Sequence, residues 1–296
     1  MKIAITGSSG LVGTALGKAL RTRGDEVVAL VRRAPRSAGE VRWDPSERRV
    51  DVAGLEGVDA LVHLAGENIA DGRWTEARKR AIRDSRVLGT EAVAQAVAEL
   101  SSKPVLVSAS AIGIYGDRGD APLTEDATPG EGFLAEVCVA WEQAAEAARV
   151  AGRRVVHPRI GIVLAREGGA LGKMVTPFKL GVGGVLGSGR QYMSWVHVDD
   201  LVAQLLRAID DTSLQGPFNA VAPEAVTNAE FTKALGRAVK RPTFLPVPRF
   251  AAKLAFGSEL AEEALLASAR VVPEVLTERG FAWRFPSLDR ALADCV

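Results

Sequence analysis

Lys2-Ile3-Ala4-Ile5-Thr6-Gly7-Ser8-Ser9-Gly10-Leu11-Val12-Gly13 decides how the first half of the chain is read. Lys2 to Thr6 is a short apolar run of strand character. Leu11 to Arg23 then places Val12, Leu16, Ala19 and Leu20 on one helical stripe that stops at Gly24. Where a strand turns directly into a helix, each glycine has a physical use. Gly7 permits the tight turn, Gly10 lets the backbone approach a pyrophosphate, and Gly13 allows helix and strand to pack closely. Unpaired amides at the helix start would meet the phosphate charge. The spacing therefore predicts a dinucleotide-binding turn with contacts from Gly7, Ser9, Gly10, Leu11, Val12 and Gly13.

Outward from this turn, short apolar runs alternate with longer segments of helical period. Glu26 to Val31, Ala60 to Leu64, Val105 to Ser108 and Arg154 to Leu164 read as strands, and Thr75 to Leu100 and Phe133 to Val150 as helices. That alternation predicts an α/β fold with a doubly wound parallel sheet. Beyond it the pattern loosens. Gly181, Gly183, Gly184, Gly187 and Gly189 imply a loop with close backbone approach. Tyr192 to Val198 reads as a strand, Asp200 to Ile209 as a helix, Phe218 to Val221 as a strand and Asn228 to Val239 as a helix, followed by short helices to Val296. Residues 1–165 are expected to form the dinucleotide-binding domain, with about 195–225 returning to it. Residues 166–296 would form mainly a smaller C-terminal substrate lobe.

The end of the second strand selects the dinucleotide. An NAD site usually carries Asp or Glu there, whereas Arg suits the extra phosphate of NADP. Here the position reads Val31-Arg32-Arg33 with Arg36 close behind, and Asp25 and Glu26 precede the strand. NADP(H) is the expected cofactor, with Arg32 as the main 2′-phosphate contact and Arg33 assisting. A solvated basic loop is the plainer alternative.

The 296 residues carry 37 Lys+Arg against 36 Asp+Glu, a net charge of +1 that argues against nucleic-acid or membrane-surface binding. Hydrophobic residues at 47% are too many for a disordered chain. No segment approaches the roughly 18 apolar residues of a membrane span, and Met1-Lys2 leads straight into the first strand without a secretory leader. Cys138 and Cys295 cannot build a disulfide framework and lack metal-ligand spacing. A cytoplasmic protein with a small-molecule substrate and no metal is expected.

The glycine turn, His63-Leu64-Ala65-Gly66, Ser108-Ala109-Ser110 leading to Tyr115-Gly116, and Trp195-Val196-His197-Val198-Asp199-Asp200 together resemble the extended short-chain dehydrogenase/reductase superfamily. More narrowly, His63 to Ile69, Arg73-Trp74, Ser85-Arg86, Gly184 to Gln191, Gly280-Phe281 and Phe285-Pro286 look like the sugar-nucleotide-epimerase-like proteins of the NAD-dependent epimerase/dehydratase family. The likeness covers nearly the whole chain. It implies a Rossmann domain with a C-terminal substrate lobe, NADP binding, and a place for Leu64, Ala65 and Gly66 in the cofactor site.

The superfamily's proton exchange uses a Tyr-x-x-x-Lys pair in which Lys lowers the phenol pKa. The only tyrosines here are Tyr115 and Tyr192, followed four residues on by Gly119 and Val196. Aligning the helix through Trp141-Glu142 puts Leu134 and Cys138 where Tyr and Lys would stand. Ser110 and Tyr115 remain as catalytic candidates, Ser110 to hold a substrate oxygen and Tyr115 to reach the nicotinamide side. A local serine hydrogen bond and a buried aromatic are their alternatives. Glu67 and Asn68 follow a strand end, where ligands of open α/β sheets bind, and are candidate substrate contacts. The resemblance implies that Arg190, Gln191 and Trp195, next to the glycine-rich loop, line the substrate lobe, and core and surface residues of that lobe are the alternative. His63 and His157 read as packed or surface residues, and an acid of Asp199-Asp200 as a helix cap. Two functions stay open: an NADP(H)-dependent oxidoreductase or epimerase-like enzyme acting on a small carbonyl or hydroxyl compound, or a non-catalytic NADP(H)-binding redox sensor.

Overall fold

The computed structural model describes residues 1–166 and 168–296. The first part runs β1 (Lys2–Thr6), α1 (Leu11–Arg23), β2 (Glu26–Val31), β3 (Glu40–Asp44), β4 (Arg49–Val50), β5 (Ala60–His63), α2 (Glu76–Glu99), β6 (Val105–Ser108) and β7 (Ser110–Ala111). Next come β8 (Pro122–Leu123), α3 (Phe133–Gln143), α4 (Glu146–Val150), β9 (Val155–Ile160), β10 (Ile162–Leu164) and α5 (Gly169–Lys179). The later part adds β11 (Tyr192–Met193), β12 (Trp195–His197), α6 (Val198–Asp210), β13 (Gly216–Ala220), β14 (Val226–Thr227), α7 (Asn228–Ala238) and α8 (Arg249–Phe256).

The main sheet has the order β13-β9-β6-β5-β1-β2-β3-β4, parallel except for the β3–β4 pair. From β1 the chain winds outward through β2 and β3, then crosses to β5 on the other side, so the order reverses between β1 and β5. Ligands of such sheets bind beyond the carboxyl ends of the strands at this point. Period-2 alternation explains the two cores. Ile3, Ile5, Val62 and Val107, with Phe218 of β13, face α1 and α6 with Leu16, Leu201 and Leu205, whereas Ala4, Leu61 and Leu106 face α2 with Val93 and Val97. Coverage on both faces is why these strands read as unbroken apolar runs.

Three expected elements are divided. The helix over Phe133 to Val150 breaks after Gln143, where the Arg149 side chain donates to the Glu142 carbonyl at 2.6 Å and replaces its helical partner. The strand over Arg154 to Leu164 breaks at Gly161, because β10 leaves the main sheet to pair with β12. A Cβ on Gly161 would lie 2.7 Å from the Ser194 carbonyl oxygen, so the crossing requires glycine. The strand over Tyr192 to Val198 divides into β11 and β12, and Val198 already begins α6. No helix among the described residues is long and apolar enough to cross a membrane.

The cap of α6 is His197, whose Nδ1 accepts the Asp199 amide at 3.2 Å, and not an acid. Asp200 instead is buried, and its two oxygens accept the amides of Arg284 and Phe285 at 2.8 and 2.9 Å, holding the C-terminal tail. Asp200→Ala strands both amides and should lower stability by about 2–3 kcal/mol. Denaturant unfolding checks this; an unchanged midpoint would show that the tail does not depend on that carboxylate.

Candidate functional site

The glycine turn forms a shallow cradle at the reversal point. Gly7 has φ 67°, and a Cβ there would lie 2.9 Å from the Ala65 nitrogen. A Cβ on Gly13 would lie 2.2 Å from the Gly7 carbonyl oxygen, so helix and turn touch at backbone distance. Gly10 offers α1 no side-chain cap, and the amides of Leu11, Val12 and Gly13 have no partner among the described residues. Ser9 is exposed beside them. Free amides at the start of a thirteen-residue helix, with no side chain over them, fit a pyrophosphate.

Thr6 fixes the neighbouring loop. Its Oγ1 accepts the amides of Leu64 and Ala65 at 3.1 and 3.2 Å and lies 2.7 Å from His63 Nδ1. Leu64 and Ala65 therefore shape the cradle through their backbone while their amides stay engaged, and Gly66 is exposed beyond them. His63 is packed: burial, and secondarily the Arg86 cation, lowers its pKa to about 3.

At the end of β2, Arg33 makes a bidentate pair with Glu40 at 2.7 and 2.5 Å, and the Arg36 amide donates to the same carboxylate. The Arg33 hydrogen bonds, then the Arg36 amide, draw the Glu40 carboxyl down to about 2. The pair leaves Arg33 Nε and one Nη2 hydrogen without an acceptor among the described residues, so Arg33 could assist a phosphate while still held by Glu40. Arg32 is exposed, with no side-chain partner among the described residues.

The catalytic candidates lie elsewhere than the sequence suggests. Tyr115 is fully buried; its hydroxyl donates to Asn219 Oδ1 at 2.7 Å and accepts from Arg159 Nη1 at 3.0 Å. Burial raises its pKa against the opposing effect of Arg159. A sealed phenol with both bonding directions filled is a strut, and the proton donor expected of Tyr115 has no access to a substrate. Ser110 is buried too, and its hydroxyl donates to Glu142 Oε1 at 2.7 Å, so it has no proton left for a substrate oxygen. Glu142 also receives Arg159 Nε and Nη2 at 2.9 and 3.0 Å. Burial would raise the Glu142 pKa, but the hydrogen bonds and charge of Arg159 hold it below the ordinary carboxylate value.

Leu134 and Cys138 share one face of α3 against Gly113, where a Cβ would meet Leu134 Cβ at 3.4 Å and Cys138 Sγ at 3.8 Å. Burial pushes the Cys138 thiol up to about 12, which keeps it protonated and unreactive. In the loop after β5, the Glu67 carboxylate pairs with Arg78 at 3.1 Å, and Asn68 is engaged in its own turn with Ala70 and Asp71. Ser85 and Arg86, unassigned in the sequence, hold this loop: Ser85 Oγ accepts the Glu67 amide and Arg86 Nη1 donates to the Glu67 carbonyl, both at 3.0 Å.

In the second lobe, a cleft of about 360 Å³ is lined by Asp120, Ser188, Arg190, Gln191, Arg249 and Ser268 among others. Arg190 is exposed there, while Gln191 is buried and donates to the Leu186 carbonyl at 3.1 Å, supporting the glycine-rich loop. Trp195 is fully buried in the lobe core, which removes it as a substrate contact. His197, Asp294 and Cys295 bring potential ligand atoms within 4.8 Å of one another. Because His197 Nδ1 accepts an amide, the neutral ring carries its proton on Nε2, which faces Asp294 at 3.4 Å with no lone pair to offer a cation.

Replacing Glu142 by Gln leaves Arg159 buried without its counter-charge and should cost about 3–5 kcal/mol at neutral pH. Since the folded-state pKa of Glu142 is depressed, its contribution is complete above the ordinary value of about 4.3 and is lost as pH falls through the folded-state value. Unfolding curves of wild type and Glu142→Gln across acid pH should converge as pH falls; a gap independent of pH would contradict the ion-pair account.

A model of the NAD dependent epimerase/dehydratase family matches residues 3–221, and a model of a domain of unknown function matches residues 247–295. The chain is 46% identical over 290 residues to an epimerase family protein of Mycobacterium tuberculosis, covering 98% of this chain and 96% of that protein. It is 37% identical over 300 residues to the Homo sapiens epimerase family protein SDR39U1, covering 100% of each. A crystal structure of human SDR39U1 (isoform 2) with NADPH aligns with a TM-score of 0.90 at 34% identity, covering 100% of this chain and 99% of that one. MoeE5 in complex with UDP-glucose and NAD, at 22% identity and a TM-score of 0.78 over 99% and 97% of the two chains, shares the fold.

Proposed function

Given that the chain belongs to the NAD dependent epimerase/dehydratase family, we propose that it binds NADP(H) beyond the carboxyl ends of β1 and β5 and acts on a small carbonyl or hydroxyl compound. The observation that carries this reading is the run of free amides at Leu11, Val12 and Gly13 beside the unpaired Arg32. The human relative crystallised with NADPH supports the choice of dinucleotide. Residues 1–165, with about 195–225, would hold the cofactor, and most of 166–296 the substrate, with the Arg190 cleft as the candidate pocket. Bound NADP(H) supplies or accepts a hydride.

The chain's own part is to bind and orient. Gly7, Gly10 and Gly13 admit the pyrophosphate at backbone distance, and Arg32 takes the 2′-phosphate. No proton-exchanging side chain stands at positions 134 and 138 on α3, and the hydroxyls of Ser110 and Tyr115 are engaged. With these four groups unavailable, a carbonyl reduced here would take its proton from water, and none of the four can receive the proton of an alcohol. Reduction of activated carbonyls such as quinones and dicarbonyls is therefore favoured over alcohol oxidation or epimerisation. The same engaged hydroxyls favour a second reading, a redox-sensing protein that binds NADP(H) without turnover.

Titration of wild type and Arg32→Ala with NADPH and NADH tests the cofactor. Wild type should prefer NADPH, and the variant should lose about 1.5–3 kcal/mol of NADPH binding, roughly ten- to over a hundredfold. Equal wild-type affinities for the two would overturn the proposal. A carbonyl panel with NADPH separates the two readings: turnover unchanged in Tyr115→Phe supports the water-protonated reduction, and tight binding without any turnover selects the sensor.

A further inference from the structure

We infer that Arg86 is a binding residue for the nicotinamide half of the dinucleotide, supplying from α2 the fixed cation that α3 does not carry at Cys138. The inference rests on the NADP(H) reading above and deepens it by assigning a residue to the end of the crevice opposite Arg32.

Arg86 is half-buried, and its head is fixed. Nη1 donates to the Glu67 and Ile82 carbonyls, both at 3.0 Å, and the guanidinium lies 5.0 Å from the ring of Trp141 on α3. A Cβ on Gly66, just past the end of β5, would sit 3.3 Å from the guanidinium carbon. The cation therefore stands between the loop after β5 and α3. Its influence on both His63 and Cys138 agrees with that position.

Among the arginines around the loop after β5 and the pair on β9, Arg86 stands without a counter-charge. Arg33, Arg78 and Arg159 are each paired with a carboxylate, from Glu40, Glu67 and Glu142. Arg86 has no ion pair among the described residues. Its Nε and Nη2 have no acceptor there, and unlike Nε of Arg78 and Arg153 they are not sealed from solvent. Partial burial of an unpaired guanidinium is costly, and the cost is offset when a ligand brings acceptors.

Position selects the ligand. Arg32 follows β2 on one side of β1, and Gly66 follows β5 on the other, with the free amides of α1 between them. A dinucleotide whose 2′-phosphate is held at Arg32 and whose pyrophosphate is held at α1 lays its second nucleoside toward β5 and β6. Ribose hydroxyls and a carboxamide oxygen are acceptors that the planar N–H edge of a guanidinium matches.

The experiment titrates wild type, Arg86→Met and Arg86→Lys with NADPH and with adenosine 2′,5′-bisphosphate, which lacks the nicotinamide nucleoside. Arg86→Met should weaken NADPH roughly ten- to a hundredfold and leave the bisphosphate within about twofold, with a smaller selective loss for Arg86→Lys. Equal losses for both ligands, or none for either, would overturn the inference, since a residue that only braces the Glu67 loop has no reason to distinguish them. Should Arg86→Met fail to fold, the Arg86→Lys comparison decides by the same criterion. Failure of wild type to bind either ligand would instead overturn the NADP(H) reading itself.

Discussion

A buried carboxylate–guanidinium pair, Glu142 with Arg159, ties the β13–β9 edge of the main sheet to β7 and α3. The side chains are 14% and 8% exposed, so the pair is removed from most of its solvation and must offset that loss by geometry. It does so through every edge of the guanidinium. Nε and Nη2 take the two oxygens of Glu142, and Nη1 takes the Tyr115 hydroxyl and the Glu125 carbonyl. Ser110 on β7, Glu142 on α3, Arg159 on β9 and Asn219 on β13 are thereby locked into one network. The consequence is chemical as well as mechanical: the hydroxyls of Ser110 and Tyr115 are consumed by the fold.

Local information in the sequence accounts for what was legible. The glycine turn, the apolar strands and the helix stripes are set by contacts a few residues apart, and the structure places β1, α1 and β2 at the bounds their pattern predicts. The roles of Tyr115 and Ser110 depend instead on Asn219 and Glu142, 104 and 32 residues away. A signal for this existed. Arg159 interrupts an apolar run from Val155 to Leu164, and a charge in a strand covered on both faces requires a buried partner. Asn219 between Phe218 and Ala220 makes the same demand. Trp195 differs from its expected role for the converse reason: family likeness and a place near the glycine-rich loop say nothing about which face of a short strand packs inward.

The cations divide into two groups. Arg33, Arg78 and Arg159 are matched by carboxylates and serve as braces. Arg32 and Arg86, at opposite ends of the strand-end crevice, have no carboxylate partner among the described residues, and the free amides of α1 lie between them. That arrangement keeps the means of holding an anionic dinucleotide. The means of moving a substrate proton are absent from α3, where Leu134 carries none and the Cys138 thiol is held protonated by burial. Binding and proton exchange are separable in this fold, and the residues proposed above serve the first alone.

The most direct test of the central claim is amide hydrogen exchange at Leu11, Val12 and Gly13 with and without NADPH. These amides have no partner among the described residues, so they should exchange readily in the free protein and slow on addition of NADPH as phosphate oxygens take them up. Exchange at these three positions that is unchanged by saturating NADPH would contradict the account.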